Sequence, residues 1–449
     1  MKKLSFVLFV ATILTFTCCD SLDIDPIIDN PVILDIKVNT TWETGKTYVI
    51  DGRLNIDGAI LTIEPGVIVK FKEGAQIEVG SSSTGSAIIA IGTVDQPILF
   101  TSNAAIPSAG DWDAIFFHSG TASTTLLTYC NFEYGGGYSA YSGIIDLDEA
   151  EISMENCTIK HSAAYGIVMD AQSKFKSFTN NAISNTVNHV IQLYPNAAHT
   201  IGLGNVFTST NPSIGILVKA ATYNLAEETW LKQTVSYIID GTMYLQSNAG
   251  SILNIQEGNT IAFTNGSQIE VGSSSSTYGT LKAIGTVANP ILFTSSATSK
   301  TMGDWDGIFL EDGTSNNSEF AHCTFEYGGG YSAYVGMVDL TDCSVIINNC
   351  SFTNSATYGI SLNDESYFVS FDNNTFSTCI NHPIKLYANY AHTVGTGNIY
   401  NSLLGILVKA DIYNQASETW KKQSCAYYID GTMYIQSATS SELIIEAGN

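Results

Sequence analysis

The residues of this chain that are best suited to chemistry lie in one nine-residue segment that occurs twice. Glu-Tyr-Gly-Gly-Gly-Tyr-Ser-Ala-Tyr occupies residues 133–141 and recurs, letter for letter, at residues 326–334. Aromatic rings beside a carboxylate suit the faces and hydroxyl groups of sugar rings, and glycines allow backbone conformations that other residues avoid. The segment therefore predicts a glycan-binding loop that Tyr134 anchors, with the ligand-binding residues Glu133, Tyr138, Tyr141, Glu326, Tyr331 and Tyr334. The alternative is a structural loop whose tyrosines only cover a wide turn of the fold.

A second repeated motif, Asp-Trp-Asp, offers paired carboxylates. Its four aspartates are Asp111, Asp113, Asp304 and Asp306. Residues two apart on a strand point to the same side, so each pair could hold calcium or flank a glycosidic bond, which needs carboxyl groups about 5–9.5 Å apart. The simpler interpretation is that the motif marks the turn into a strand, with Trp112 packed inside the fold. Calcium is the one cofactor that the sequence suggests.

Other catalytic chemistries find little support in the sequence. The chain has a single arginine, Arg53, whose counterpart in the second half is Thr242, and it lacks the Gly-x-Ser-x-Gly, His-Glu-x-x-His and phosphate-loop motifs. The sequence contains no Cys-x-x-Cys pair of the kind that binds zinc. The seven cysteines beyond a tandem pair are predicted to be free, buried thiols, with disulfides between stacked turns as the alternative. The histidines without ligand spacing, predicted to be turn residues, are His118, His189, His199, His382 and His392.

Composition narrows the class of protein further. The 449 residues include 18 Lys and Arg against 42 Asp and Glu, which gives a net charge of −24. Nucleic-acid-binding proteins carry a basic surface, so this charge argues against that class. A hydrophobic share of 45% and an aromatic share of 11% argue against a disordered acidic chain. With 38 glycines, the sequence predicts a folded, turn-rich, all-β protein.

The N-terminus has the character of a targeting signal. Lys2 and Lys3 precede an apolar stretch, 4–17, that is too short to span a bilayer. Cys19, or alternatively Cys18, fits a loose bacterial lipobox and would carry the lipid. We therefore expect a lipoprotein signal peptide at 1–19, followed by an acidic tether at 20–40; the alternative is an ordinary cleaved signal whose cysteines have no role.

Internal repeats determine the predicted fold. The nine-residue segment recurs at an offset of 193, and the spacing of Trp42, Trp230 and Trp420 sets units at 41–229 and 230–419 and the start of a third unit at 420–449. Within the first unit, spacings of 27, 24 and 24 separate Cys130, Cys157, Asn181 and Asn205. Short strands recurring at such intervals predict one continuous solenoid with about 16 turns, roughly eight per unit, whose equivalent residues stack into columns.

Three segments carry a resemblance to a known family. Residues 61–71 (LTIEPGVIVKF), 110–115 (GDWDAI) and 156–167, which contain Asn-Cys-Thr-Ile and Tyr-Gly-Ile, resemble right-handed parallel β-helix repeats of the pectate-lyase-like superfold. This resemblance implies a single-stranded right-handed β-helix and, because such repeats are common in surface lipoproteins of Gram-negative bacteria, attachment to the outer membrane or cell surface. The superfold also contains polysaccharide lyases and glycoside hydrolases, and its lyases often place an arginine beside aspartate-bound calcium. The single arginine of this chain, Arg53, instead lies near the N-terminal end of the predicted solenoid.

Two classes of function follow. The favoured expectation is a non-catalytic, lipid-anchored rod that binds glycans or other surface partners, with polysaccharides or cell-surface glycans as the expected ligands and two copies of the loop giving avidity. The alternative is a carbohydrate-active lyase or hydrolase. An enzyme should gather three or more polar side chains in one groove of one unit, whereas a binding protein should expose the same aromatics in both.

Because residues 442–446 resemble an interior strand, we also expect either a longer natural protein or a partner that covers this end.

Overall fold

The structure is a computed structural model that describes residues 30–31 and 35–449, apart from 210, 212, 275 and 334. Within these residues, short parallel strands follow one another with almost no helix and stack in successive turns. Burial alternates along the strands, as in Ile60–Ile63, whose second and fourth side chains face the core. The chain is therefore a parallel β-solenoid of about 16 turns, which confirms the predicted all-β architecture.

The strands form three stacks, which we call face 1, face 2 and face 3. Face 1 contains Asn30–Pro31, Thr47–Ile50, Ile68–Phe71, Ile98–Ser102, Cys130–Glu133, Thr158–Ser162, Ala182–Thr186 and Val206–Thr208. A separate six-stranded parallel sheet supplies the remaining strands of the second unit: Glu227–Trp230, Ser251–Ile255, Gly279–Ile284, Glu319–Ala321, Ser344–Asn348 and Tyr367–Asp372.

Face 2 is a continuous parallel sheet that runs through both units. Its strands are Asp35–Ile36, Arg53–Ile56, Gln76–Val79, Ile115–Phe117, Gly143–Leu147, Tyr165–Met169, Ile191–Leu193, the first parts of Ile216–Tyr223 and Tyr237–Leu245, then Thr260–Phe263, Ile291–Ser295, Cys323–Glu326, Ser351–Ser355, Thr375–Cys379 and Ile399–Asn401.

Face 3 closes the turns. It contains Thr40–Trp42, Ile60–Ile63, Ala87–Ile91, Leu126–Thr128, Glu151–Glu155, Lys174–Thr179, the 3-10 helix Pro195–Thr200, the last parts of the two long strands, Gln268–Val271, Gly307–Leu310, Gly336–Leu340, Tyr358–Leu362, Ile384–Tyr387, Ile406–Lys409 and Tyr427–Asp430. The remaining elements are the 3-10 helix Ala388–Thr393 and the paired strands Ile412–Tyr413 with Tyr434–Ile435 and Glu418–Trp420 with Leu443–Ile445.

The two long strands join the units and shift the faces. The first residues of Ile216–Tyr223 pair with Ile191–Leu193 on one side and with the first residues of Tyr237–Leu245 on the other. The latter then pair with Thr260–Phe263, which corresponds in sequence to Ile68–Phe71 of face 1 but lies in face 2. The strands of the second unit therefore lie one face further round than their counterparts in the first.

This shift follows from the number of strand positions in one repeat. From Cys130–Glu133 to Cys323–Glu326 the chain makes 19 strand steps, and three more positions come from the 3-10 helix and from the two strands that each cover two faces. These 22 positions on three faces make seven turns and one third. The repeat thus contains slightly fewer turns than the roughly eight expected from the sequence, and the additional third of a turn rotates the pattern by one face.

Columns of apolar side chains fill the interior, as expected. Phe132, Ile159, Ile183 and Phe207 are in register on successive turns and are buried. In the second unit the equivalent column is a stack of phenyl rings whose neighbouring centroids lie 4.8 Å apart, formed by Phe293, Phe325, Phe352 and Phe376. Burial of these rings is the main source of stability for each turn.

A second column combines cysteine and asparagine. Asn181 accepts a hydrogen bond from the backbone N–H of Cys157 (2.9 Å) and donates one from Nδ2 to the carbonyl oxygen of Met154 (2.9 Å). The Asn181 N–H in turn donates to Oδ1 of Asn205 at 2.9 Å. All seven cysteines of the described residues are free, as the sequence predicted, and five are buried, whereas Cys379 and Cys425 are half-buried.

The described part begins close to the expected boundary of the solenoid. Asp35–Ile36 already pairs with Arg53–Ile56, so the solenoid extends further towards the N-terminus than residue 41. The predicted signal peptide at 1–19, both candidate lipidation cysteines (Cys18 and Cys19) and most of the tether at 20–40 lie outside the described residues. Among the residues that are described, no helix has the length and apolarity to cross a bilayer.

Candidate functional site

The two tryptophans of the Asp-Trp-Asp motifs are core residues that support the tyrosine loops. Trp112 stacks on Phe71 with ring centroids 4.1 Å apart, and its Nε1 donates to the carbonyl oxygen of Glu133 at 2.8 Å. Trp305 stacks on Phe263 at 4.3 Å and donates to the carbonyl of Glu326 at 2.9 Å. The simpler interpretation of the motif, a turn with an inward tryptophan, is therefore the correct one for the tryptophan.

Each glycine of the loop has its own steric reason. A Cβ on Gly135 would lie 2.7 Å from the indole ring of Trp112, and a Cβ on Gly137 would lie 2.3 Å from the carbonyl oxygen of Gly110. Only Gly136, with φ of +83°, uses the left-handed backbone that glycine favours. The loop is therefore fixed mainly by close backbone approach, and it presents the following residues in one defined shape.

The loops expose the same tyrosine in both units. Tyr138 is 59% exposed and packs edge-on against Phe116 with centroids 5.2 Å apart. Tyr331 is 61% exposed and packs in the same way against Phe309 at 5.3 Å. Tyr141 is 80% exposed, whereas its counterpart Tyr334 lies outside the described residues. The repeated exposed aromatics expected of a binding protein are present.

The glutamates of the loops point elsewhere. The Glu133 carboxylate pairs with Lys160 of face 1 at 3.1 Å, whereas Tyr138 lies on Phe116 of face 2. Glu326 accepts a hydrogen bond from the hydroxyl of Thr294 at 2.7 Å and lies 3.4 Å from Lys300. The strand bearing each glutamate and the ring supporting each exposed tyrosine thus belong to different faces.

Tyr134 has the anchoring role predicted for it. Its ring stacks on His161 with centroids 5.1 Å apart, and its backbone adopts a positive φ of 66°. Tyr327 holds the same conformation in the second loop, with a φ of 65°.

The first aspartate of each motif caps a turn. Asp111 accepts hydrogen bonds from the Ser102 hydroxyl (2.6 Å) and the Ser108 N–H (2.9 Å), and Asp304 accepts both the N–H and the hydroxyl of Thr301. The second aspartates, Asp113 and Asp306, have pKa values raised by burial. Across the described ranges, no group of three or more His, Cys, Asp or Glu side chains could hold a metal ion, so the geometry gives no support to the predicted calcium site at these four aspartates.

A polar groove lies beside the first motif. It encloses about 530 Å³ and is lined by Asp51, Lys72, Glu73, Ser102, Asn103, Ala104, Gly110 and Asp111. In the wall of this groove Lys72 pairs with Asp51 at 2.6 Å, so the charges of the groove are partly neutralised within the protein.

The structure also reveals a cluster that the sequence analysis missed. On face 2, Nε2 of His118 lies 2.7 Å from Glu78 and Nδ1 lies 3.4 Å from Asp148, while Nε of Arg53 lies 3.3 Å from the same glutamate. His118 is therefore part of an ionic cluster rather than a simple turn residue. Its partners are 40 and 30 residues away in sequence, and only the stacking register of the strands could have indicated the contact.

Burial and hydrogen bonding shift the pKa values of the groups in this cluster in opposite directions. The hydrogen bond to Glu78 raises the pKa of His118, and the hydrogen bond from His118 lowers the pKa of Glu78. Burial raises the pKa of neighbouring Asp146 to about 6. The cluster thus combines a histidine whose pKa is raised, a glutamate whose pKa is lowered and a neighbouring aspartate with a pKa of about 6, which are groups suited to acid–base work.

The second unit lacks this combination. By repeat position, His118 is replaced by Glu311, Asp148 by Thr341 and Arg53 by Thr242. Burial raises the pKa of Glu311 to about 7, since no cation replaces the histidine. A polar cluster of one unit and exposed tyrosines of both units are therefore present together, so each of the two classes of function has a structural feature in its favour.

Replacement of His118 by glutamine is expected to lower the melting temperature within a defined pH window. The raised pKa of His118 means that its contribution is complete below about pH 6.5 and is lost as the pH rises through the raised value. The lowered pKa of Glu78 means that its contribution is complete above about pH 4.5 and is lost as the pH falls through the lowered value. Thermal unfolding should show a loss of roughly 1 kcal/mol between these limits and less outside them.

Glu311→Gln is the matched control, because Glu311 occupies the same position in the second unit. Since the pKa of this acid is raised to about 7, its charge destabilises the fold as the pH rises, and the glutamine variant should be more stable than the unmodified protein at pH 8. At pH 4.5 the two proteins should be alike. A loss in His118→Gln that is constant across pH would mean that the histidine contributes packing alone.

Comparison with known proteins agrees with this architecture. The family described as the pectate-lyase-like β-helix domain matches residues 34–193 and 223–349, one segment in each unit. Neither the curated proteins nor the solved structures gave a match. Since the matched segments cover more than half of the chain and the strands form a parallel solenoid, the chain belongs to the pectate-lyase-like β-helix domain family.

Proposed function

We propose that this protein is a non-catalytic, lipid-anchored surface rod that binds polysaccharides through its tyrosine loops. The observation that carries the proposal is the exposed tyrosine held edge-on against a phenylalanine in both units, Tyr138 on Phe116 and Tyr331 on Phe309. Solvent-exposed aromatic rings at equivalent positions have no role in the core. A family shared with carbohydrate-active proteins is consistent with a glycan ligand, although the fold alone does not assign one.

The loop geometry favours binding because the rings are already ordered. The glycines hold the loop against Trp112 and Gly110, and Nδ2 of Asn188 donates to the carbonyl oxygen of Ala140 at 2.9 Å. A ring that is fixed before binding loses little conformational freedom when a sugar stacks on it. The exposed hydroxyl groups of Tyr138 and Tyr141 can donate and accept hydrogen bonds with the sugar.

The charge of the protein favours neutral polysaccharides. A net charge of −24 with only 18 basic residues repels an anionic polymer at low salt. Several of the basic residues are already paired, among them Lys72, Lys160, Lys219 and Lys300. A neutral glucan, mannan or galactan is therefore the ligand class that we propose.

The anchor belongs to the same proposal. Lipidation at Cys19, or at Cys18, followed by the acidic segment would hold the rod at the outer membrane or surface of a Gram-negative bacterium, away from the lipid headgroups. Release of Cys19→Ala, but not of Cys18→Ala, from the membrane fraction into the medium would assign the anchor to Cys19. Retention of the double variant would refute the lipoprotein assignment.

A carbohydrate-active enzyme is the second candidate, and the ionic cluster on face 2 is the observation that favours it. Glu78, His118 and Arg53 converge there, and the second unit has no equivalent. Tyr138 lies next to this cluster, because its supporting ring, Phe116, is stacked at 6.2 Å from His118. A sugar on Tyr138 would therefore come close to the cluster. Against catalysis, both nitrogens of the histidine already face carboxylates.

One screen tests both candidates. The full chain is applied to an array of neutral glucans, mannans and galactans beside anionic polygalacturonate and alginate, and the same mixtures are assayed for reducing ends and unsaturated products. We expect binding to a neutral polymer that is lost in Tyr138→Ala/Tyr331→Ala and kept in Tyr138→Phe/Tyr331→Phe, without product formation. Product formation that disappears in His118→Gln would favour the enzyme, and binding that survives the double alanine variant would refute the loop assignment.

A further inference from the structure

The two tyrosine loops lie at opposite edges of one sheet. The first loop, 134–142, leads into face 2 at Gly143–Leu147. The second loop, 327–335, follows Cys323–Glu326, which belongs to face 2 as well, and leads out of this face into face 3 at Gly336–Leu340. The loops share their first eight residues and differ only in the last, Ser142 against Val335, but they occupy different corners of the solenoid, because one repeat makes seven turns and one third.

The supporting rings place the exposed tyrosines above different faces. Phe116 belongs to Ile115–Phe117 of face 2, and Phe309 belongs to Gly307–Leu310 of face 3. Along the axis, seven strand steps separate Gly143–Leu147 from Cys323–Glu326 in the shared sheet. At about 4.8 Å per step this is roughly 34 Å.

We propose that the rod cross-links two separate polysaccharide chains, one on each loop, rather than binding one chain twice. The inference rests on the proposed function of the loops. A stiff polysaccharide chain that lies along face 2 contacts Tyr138 but does not reach Tyr331, because the ring of Tyr331 lies on face 3. Engagement of both rings by one chain requires the polymer to bend around a corner of the solenoid.

This geometry changes the expectation of avidity drawn from the sequence. Two sites increase affinity for one polymer only if that polymer can reach both at once. Sites above different faces instead bind independently, with similar intrinsic affinity, since the loops share their sequence and their aromatic support. The physical consequence is a network of polymer and protein, held together by a rigid spacer of about seven turns.

The experiment uses the full chain with a soluble neutral galactomannan and a soluble mixed-linkage β-glucan as probes. Titration calorimetry counts the sites per protein, and light scattering of the mixtures measures cross-linking. We expect about two sites and strong scattering for the unmodified protein. Tyr138→Ala and Tyr331→Ala should each halve the number of sites and reduce scattering at least tenfold, while the dissociation constant of the remaining site changes by less than about twofold. The matched phenylalanine variants should scatter like the unmodified protein.

The outcomes separate this inference from the proposed function. A loss of polymer affinity of tenfold or more in either single alanine variant would mean that one chain spans both loops, which overturns cross-linking but leaves glycan binding intact. Scattering that persists in both single variants would also overturn it. If Tyr138→Ala/Tyr331→Ala binds both probes as well as the unmodified protein does, the loops do not bind glycans at all. Thermal unfolding of each variant establishes that the fold is retained, which is expected because both side chains are exposed.

Discussion

Asn181→Ala is expected to be among the most destabilising single substitutions in the solenoid. The Asn181 side chain accepts from the buried N–H of Cys157 and donates to the carbonyl of Met154, both at 2.9 Å. Removal of the amide leaves two buried backbone groups without a partner, each at a cost of about 1–3 kcal/mol. We therefore expect a loss of about 2–6 kcal/mol in the free energy of unfolding, measured by thermal or denaturant unfolding of the full chain.

The second unit provides an internal replicate. Asn374 makes the same hydrogen bonds, to the N–H of Cys350 and the carbonyl of Ile347, again at 2.9 Å. Asn374→Ala should therefore cost a similar amount, whereas alanine at the exposed Asn316 should change stability by less than about 0.5 kcal/mol. Similar melting temperatures for all three variants would show that the asparagine column is dispensable.

The columns could be predicted from the sequence because stacking requires similar residue types at the same position of each turn. Spacings of 24 to 27 residues brought Cys157 above Asn181 and Phe132 above Ile159, and the strand register confirms both columns. The rotation by one face could not be predicted in the same way. It depends on how many strand positions a repeat contains, and a 3-10 helix and two long strands that turn a corner leave no distinct mark in the residue spacing.

The candidate site was predicted in part for a related reason. The exposed tyrosines on glycine loops could be predicted because the motif is local and is repeated letter for letter. The partner of Glu133 could not be predicted, since Lys160 comes from the next turn of face 1, 27 residues further along the chain. His118 was missed because its two carboxylate partners belong to the turns before and after it. Contacts between turns become visible only when the register is known.

Gly137→Ala is expected to disable the first tyrosine loop while the rest of the solenoid stays folded. An added Cβ would lie 2.3 Å from the carbonyl oxygen of Gly110 and 3.0 Å from that of Trp112, which are backbone atoms that cannot turn aside as a flexible side chain can. The loop must move away, which breaks the hydrogen bond from the Gly137 N–H to the Trp112 carbonyl at 2.9 Å. We expect a cost of about 3 kcal/mol and the loss of one polymer-binding site, measured by thermal unfolding and calorimetry.

Gly74→Ala separates this steric effect from the general cost of replacing glycine. Gly74 has a positive φ of 66° but open space around its Cβ position, so alanine there should cost only about 1–2 kcal/mol and leave both polymer-binding sites intact. Gly330→Ala, whose Cβ would lie 2.3 Å from the carbonyl of Gly303, should instead remove the site of the second loop and spare the first. Because each steric variant moves one loop and leaves its tyrosine unchanged, it tests loop shape separately from ring chemistry. Full binding stoichiometry in both variants would show that the glycines serve folding only, and that the identity of the two loops reflects packing against their tryptophans rather than recognition.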